Sequence, residues 1–315
     1  MRVVFLGNDP RSVPSLEGID EADGIDVALV ITNPPRPAGR GARLTPTPVA
    51  DAARGRGMPL AEVVGVRDAA GLAQIEQARP DAMVVVAYGQ ILPARVLDVP
   101  RLGTVNLHLS LLPRWRGAAP VQRAILEGDD VSGVSVMLLD EGLDTGPVLA
   151  RLEEPIHPGE DAGALGERLA RLGAPVLVEQ LRALEAGAAV AVPQDDATAT
   201  YAERPRPEER VIDWGHAAES IVRRVRAFAP TPGATTTFRD APFKVLRAAA
   251  RGAAGDAHEG NASPGEIRVG HDGVPVVAAS AGDVALLEVA PAGRARMPGP
   301  DWARGARLQR GERFT

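Results

Sequence analysis

The chain contains no cysteine. This excludes disulfides, zinc fingers and other thiolate metal sites, and a thiolate nucleophile, and it fits a reducing compartment. Aromatic residues are scarce at 3% while Ala, Arg and Gly abound; a bias of that kind falls mostly on surface positions and says little about function. Long apolar runs are missing too. The opening Met1-Arg-Val-Val-Phe-Leu6 is too short for the core of a secretory signal and far too short to span a membrane, so a cytoplasmic location without membrane association is expected. No G-x-G-x-x-G spacing follows that first apolar run, and without the glycines that bring backbone against a pyrophosphate, NAD binding is not expected.

What the chain does have is length and alternation. Its 315 residues exceed the usual single domain, and 45% hydrophobic with 24% charged residues is ordinary for a globular protein with a sizeable core. From Arg2 to about Ala186, short apolar runs alternate with helical spacing, the pattern of an α/β domain with a parallel sheet. In order, the expected elements include a strand at Arg2–Leu6, a helix capped by Ser12, strands at 26–32, 60–63 and 82–87, and a long helix over 161–186. Residues 188–206 hold few large apolar side chains and read as a linker. From Thr235 short β-rich segments separated by Gly, Pro and Asp suggest a small barrel. Charge divides at the same place: 19 basic and 28 acidic residues in 1–205, against 16 basic and 13 acidic in 206–315. A polyanionic partner would therefore be held mainly by the second part.

The chemistry concentrates at strand ends. Residues 103–109 alternate with period two, which puts Asn106 and His108 on one face; Pro113 and Gly117 then open a loop, at the carboxyl end where open α/β sheets bind ligands. Taken alone, a His beside an Asn in a half-buried strand is more often a hydrogen-bonded structural pair than a catalyst. The next strand, 134–139, runs into Asp140-Glu-Gly-Leu-Asp144-Thr-Gly146. If neighbouring strands end together, a carboxylate there reaches the imidazole and favours its charged form. Amide, imidazole and carboxylate suit acyl transfer. Two further loops stand out: Tyr88-Gly-Gln-Ile-Leu-Pro93, apolar enough to wall a flat ligand, and residues 33–48, with five prolines, two glycines and Arg36, Arg40 and Arg43. The latter fits no regular element and reads equally as a phosphate grip or a solvated connection.

These segments together resemble the methionyl-tRNA formyltransferase family over essentially the whole length. The resemblance rests on Asn33-Pro-Pro-Arg-Pro-Ala-Gly-Arg-Gly, Val86-Ala-Tyr-Gly-Gln-Ile-Leu-Pro93, the run from Asn106 through Ser110-Leu-Leu-Pro-Arg-Trp-Arg-Gly to Gln122, Asp140 to Gly146, Ile212-Asp-Trp214 and Arg307-Leu-Gln. It implies a Rossmann-like formyltransferase catalytic domain over 1–187, a linker over 188–206 and a C-terminal, OB-like β-barrel tRNA-binding domain over 207–315. It also implies 10-formyltetrahydrofolate as formyl donor, held by Ser110, Leu111, Leu112 and Pro113 and by Tyr88, Gly89, Gln90, Ile91 and Leu92, with no metal. Asn106, His108 and Asp144 are the expected catalytic residues. Charged initiator tRNA is the expected partner, met by Arg36, Arg40, Arg43, Arg114 and Arg116, and the protein is expected to be a monomer. Two other readings compete: a formyltransferase acting on a small amine such as an amino-sugar nucleotide, and a basic RNA-binding module with a vestigial site. The first needs no arginine loop; the second has no use for Asn106, His108 and Asp144 together. Departures from the family pattern fall at Gly7-Asn-Asp-Pro-Arg11, Ala42-Arg43 and Ala229-Pro-Thr-Pro-Gly233.

Overall fold

A computed structural model describes residues 1–38, 41–251 and 262–315. The chain divides into two compact units: Met1–Pro120 with Val131–Pro155 and Gly166–Glu203, and Arg204–Thr315 with Val121–Asp130 and Ile156–Leu165. Among the described residues no helix is long and apolar enough to cross a membrane.

The first unit holds β1 (Arg2–Gly7), α1 (Val13–Asp20), β2 (Asp26–Thr32), β3 (Arg36–Ala38), β4 (Arg43–Thr45), α2 (Pro48–Gly55), β5 (Leu60–Glu62), α3 (Ala69–Ala78), β6 (Ala82–Val86), α4 (Ala94–Leu97) and β7 (Thr104–His108). After α5 (Pro120–Glu127) come β8 (Val131–Leu138), β9 (Val148–Pro155) and α6 (Ala162–Glu185). One seven-stranded sheet runs β5-β2-β1-β6-β7-β8-β9. Its first five strands are parallel, and β8 and β9 are antiparallel. β6 and β7 are buried along their whole length, the pattern of central strands covered on both faces. Ser12 does not cap α1 as expected. A short 3-10 turn, Pro10–Ser12, capped by Asp9, intervenes, and Ser12 Oγ instead donates to Val86 O at 2.6 Å, tying the turn after β1 to the end of β6.

Further expectations are corrected here. The strand after His108 is not parallel to β7, so the two do not end together: Val105 pairs with Leu138 and His108 with Ser135, which leaves the end of β8 three residues, roughly 10 Å, from His108 along the strand. The proline-rich stretch after β2 does form regular structure, the antiparallel hairpin β3–β4, in which Arg36 pairs with Thr45 and Ala38 with Arg43. The stretch read as a linker contributes to the first unit as far as Glu203: Val192 and Val148 exchange backbone hydrogen bonds at 2.8 Å, and Ala202 N donates to Arg116 O at 2.7 Å.

The second unit adds α7 (Ala218–Phe228), β10 (Ala234–Phe238), β11 (Ala241–Arg251), β12 (Ile267–Val269), β13 (Pro275–Ala278), β14 (Asp283–Pro291), β15 (Met297–Pro298) and α8 (Gly299–Ala306). Its antiparallel sheet runs β10-β11-β14-β13-β12, with β15 beside β14. The C-terminal tail links the two ends: Ile267 N donates to Glu312 O, while Thr237 and Thr315 exchange backbone bonds. Half of the molecule's few aromatic residues meet in this core, where Trp214, Phe238, Phe243 and Trp302 surround Phe314 with ring centroids 5.0–5.7 Å away.

Candidate active site

β7 carries Asn106 and His108 on one face, as the period-two spacing predicts, each 7% exposed. His108 Nε2 lies 2.8 Å from Trp115 O. A carbonyl only accepts, so Nε2 carries a proton and the exchangeable position is Nδ1. Nδ1 faces Asp144 Oδ2 at 3.6 Å, a charge contact too long for a hydrogen bond. Among the described residues nothing binds the Asn106 amide, which leaves two N–H donors beside the imidazole.

Asp144 arrives by a route that the sequence does not announce. Because β8 ends at the wrong end of β7, the loop after it must fold back to reach His108. Tight internal bonds shape that loop: Asp140 Oδ1 accepts from Gly142 N at 3.0 Å and from Thr145 Oγ at 2.6 Å. A side chain at Gly146 would strike Leu138 O at 2.0 Å, so only glycine fits there. Asp144 sits at φ +53°, a left-handed conformation uncommon for a residue with a Cβ. Its Oδ2 accepts from Gly117 N at 2.8 Å.

The Trp115 carbonyl is equally constrained. Trp115 has φ +64°, its N–H donates to Thr200 Oγ at 2.9 Å, and Ser110 Oγ donates to Arg114 O at 2.6 Å. Ser135 Oγ donates to Ser110 O and accepts from Leu112 N, binding the loop to β8. Ser110 and Leu112 are buried at 1% exposure, so they shape the loop from inside. Leu111 and Pro113 are half-buried and Arg114 is exposed, its guanidinium 4.5 Å above the Trp115 ring. In the 87–92 loop, Tyr88 and Leu92 point into the core cluster that also touches Leu139, Gly89 turns at φ +78°, Gln90 donates to Val64 O, and Ile91 is 59% exposed. The three loops thus converge through shared apolar contacts at Leu139.

Of the expected cation contacts, Arg36 and Arg43 are exposed. The hairpin register puts them on one face, since Arg36 opposes Thr45 and Arg43 lies two residues from it. Arg40 lies outside the described residues. Arg116 is a correction: it is 1% exposed, donating from Nε to Gln194 Oε1 at 3.0 Å and from Nη2 to Asp196 Oδ1 at 2.8 Å, so it faces inward as a brace and not toward a polyanion.

Comparison with known proteins bears directly on this arrangement. Residues 1–181 match the formyl transferase family and residues 205–307 the formyl transferase C-terminal domain. The chain is 47% identical to a methionyl-tRNA formyltransferase of Halorhodospira halophila, covering 99% of this chain and 98% of the relative. It is 44% identical to one from Aromatoleum aromaticum, covering 100% and 97%. The chain belongs to the methionyl-tRNA formyltransferase family. A solved N-formyltransferase from Helicobacter canadensis, in complex with folinic acid and dTDP-3-aminofucose, shares the fold at 16% identity and a TM-score of 0.65, covering 90% of this chain and 98% of that one.

Sequence reasoning missed several residues of this formyltransferase that hold the site. Asn8 joins three strand ends, donating to Tyr88 O at 2.5 Å and accepting from Thr32 Oγ and Asn33 N at 2.9 and 2.7 Å. Thr200 and Gln194 come from the stretch that reads as a linker. No local pattern marks them, because their partners lie 48 to 85 positions away.

Proposed function

We propose that this formyltransferase moves a formyl group from N10 of 10-formyltetrahydrofolate to the α-amino group of methionine esterified to initiator tRNA. The carrying observation is the placement of Asn106, His108 and Asp144 on one buried strand face and its returning loop. That chemistry is common to formyl transfer onto many amines, and full-length similarity to tRNA enzymes, with the paired arginines of the hairpin, favours the tRNA over a sugar nucleotide.

The folate suits the residues present. Ile91 and Leu143 expose apolar side chains on two of the converging loops, fit for a flat pterin. The Tyr88 hydroxyl is buried without a partner among the described residues, and burial pushes it up to about 12, so it stays a neutral donor. As the amine attacks the formyl carbon, negative charge develops on the formyl oxygen. The Asn106 amide and the Nδ1–H of a protonated His108 are the donors available for it. His108 then gives its Nδ1 proton to N10 as the carbon–nitrogen bond breaks. Asp144, facing His108 Nδ1 at 3.6 Å, accepts the amine's proton through a water. Arg36, Arg40, Arg43 and the exposed Arg114 are assigned to the tRNA phosphates, giving a polyanion contact that a small acceptor does not use.

The test offers wild-type enzyme either methionyl initiator tRNA or an amino-sugar nucleotide, with 10-formyltetrahydrofolate as donor. Turnover on the tRNA is expected; efficient turnover on the sugar with none on the tRNA would overturn the reading.

A further inference from the structure

The site described above leaves one demand unexplained: what holds Asp144 in a left-handed backbone conformation on a loop that must fold back across β7. Its carboxylate is bound by Gly117 N, but that bond fixes the side chain and not the backbone. The backbone is gripped by a different residue. Gln194 Nε2 donates to Asp144 O at 2.9 Å and to Gly146 O at 2.7 Å. Its Oε1 accepts from Arg116 Nε at 3.0 Å, and Arg116 is itself buried at 1% exposure and paired with Asp196 at 2.8 Å.

We propose that Gln194 is a positioning residue for formyl transfer, locking the backbone of Asp144 so that its carboxylate faces His108. The inference rests on the reading of Asn106, His108 and Asp144 given above. Residue type is decisive here. Two carbonyls demand two donors and a guanidinium demands an acceptor, and of the side chains long enough to bridge all three only a glutamine amide supplies both. The same partners fix which way the amide faces. A glutamate keeps the acceptor for Arg116 but turns a second oxygen on two carbonyls. Two residues from Gln194, Val192 pairs with Val148, two residues beyond Gly146, so the brace stands on a short antiparallel bridge and acts at one end of it. A left-handed residue with a Cβ persists only where its surroundings over-determine it, and among the described residues the Gln194 amide binds that backbone from outside the loop.

The test is a double-mutant cycle in the full chain, with single-turnover formyl transfer to methionyl initiator tRNA at saturating donor. Losing two hydrogen bonds that aim a reacting group is expected to lower the rate of Gln194→Ala by at least about tenfold. KM for both substrates should stay within about twofold, and Gln194→Glu should not restore the rate. In an Asp144→Ala background, removing Gln194 should change the rate by less than about twofold, because a residue acting only through Asp144 has nothing left to position. A merely structural role would multiply the two losses. The inference is overturned if Gln194→Ala turns over like wild type, or if the double variant shows multiplied losses. Should the alanine chain fail to fold, Gln194→Glu carries the same cycle, since it keeps the Arg116 contact. Wild-type activity in Asp144→Ala would overturn the reading of the site itself, whatever Gln194→Ala does.

Discussion

With Nε2 of His108 held at the Trp115 carbonyl, the proposed reaction uses the other ring nitrogen for proton transfer and the Asn106 amide as the neutral donor beside it. This division of labour makes Asn106 a sharp test. Asn106→Ala removes an oxyanion donor and should cost roughly 3 kcal/mol in the barrier, about a hundredfold or more in rate. Asn106→Asp should be no milder, because it sets a like charge beside the developing oxyanion. Steady-state kcat of the two variants decides the point: an aspartate chain clearly faster than the alanine chain would exclude the oxyanion role. The period-two alternation of 103–109 was enough to put Asn106 and His108 together, because strand geometry alone decides which residues share a face. It did not reveal Gln194, Thr200 or Asn8, whose roles depend on chain segments brought together only by the fold.

The elements carry two further expectations. β3 and β4 present Arg36 and Arg43 on one hairpin face, so replacing both with alanine should raise KM for tRNA and leave folate affinity unchanged. Every arginine–phosphate pair removed should flatten the slope of log K against log salt by about 0.7 to 0.9; a salt series matching wild type would make the hairpin a mere connection. The sequence did not announce this hairpin, since five prolines in sixteen residues argue against pairing, yet β3 takes Pro37 into the ladder opposite Leu44. In the second unit, Arg123 on α5 pairs bidentately with Glu209, at 2.6 and 3.2 Å. The guanidinium holds the Glu209 carboxyl down to about 2, against an ordinary 4.5. A depressed carboxyl stabilises the fold above its unfolded pKa and loses that contribution as pH falls toward the folded value. Glu209→Gln should therefore cost up to about 1 kcal/mol near pH 7, and the gap in melting temperature from wild type should narrow between pH 5 and pH 3. A constant gap would contradict the pairing.

Across the whole molecule, the sequence revealed an α/β first part and a β-rich second part because helix and strand periods are local. The direction of β8 was not readable, since a parallel and an antiparallel edge strand can bear the same apolar pattern, and the closing role of the tail was hidden by its charge. That tail ends in the aromatic core through Phe314, 1% exposed. Phe314→Ala should cost about 3–5 kcal/mol in the second unit, read by urea unfolding followed through Trp214 and Trp302 fluorescence; a loss below about 1 kcal/mol would mean the tail is dispensable. The most direct measurement, however, is of the reaction: single-turnover formyl transfer from 10-formyltetrahydrofolate to methionyl initiator tRNA by wild-type and His108→Ala enzyme, with binding of both substrates measured separately. The account predicts product from the wild type and a rate at least about a hundredfold lower from the variant, with both affinities unchanged. A variant rate within about tenfold of wild type would contradict it.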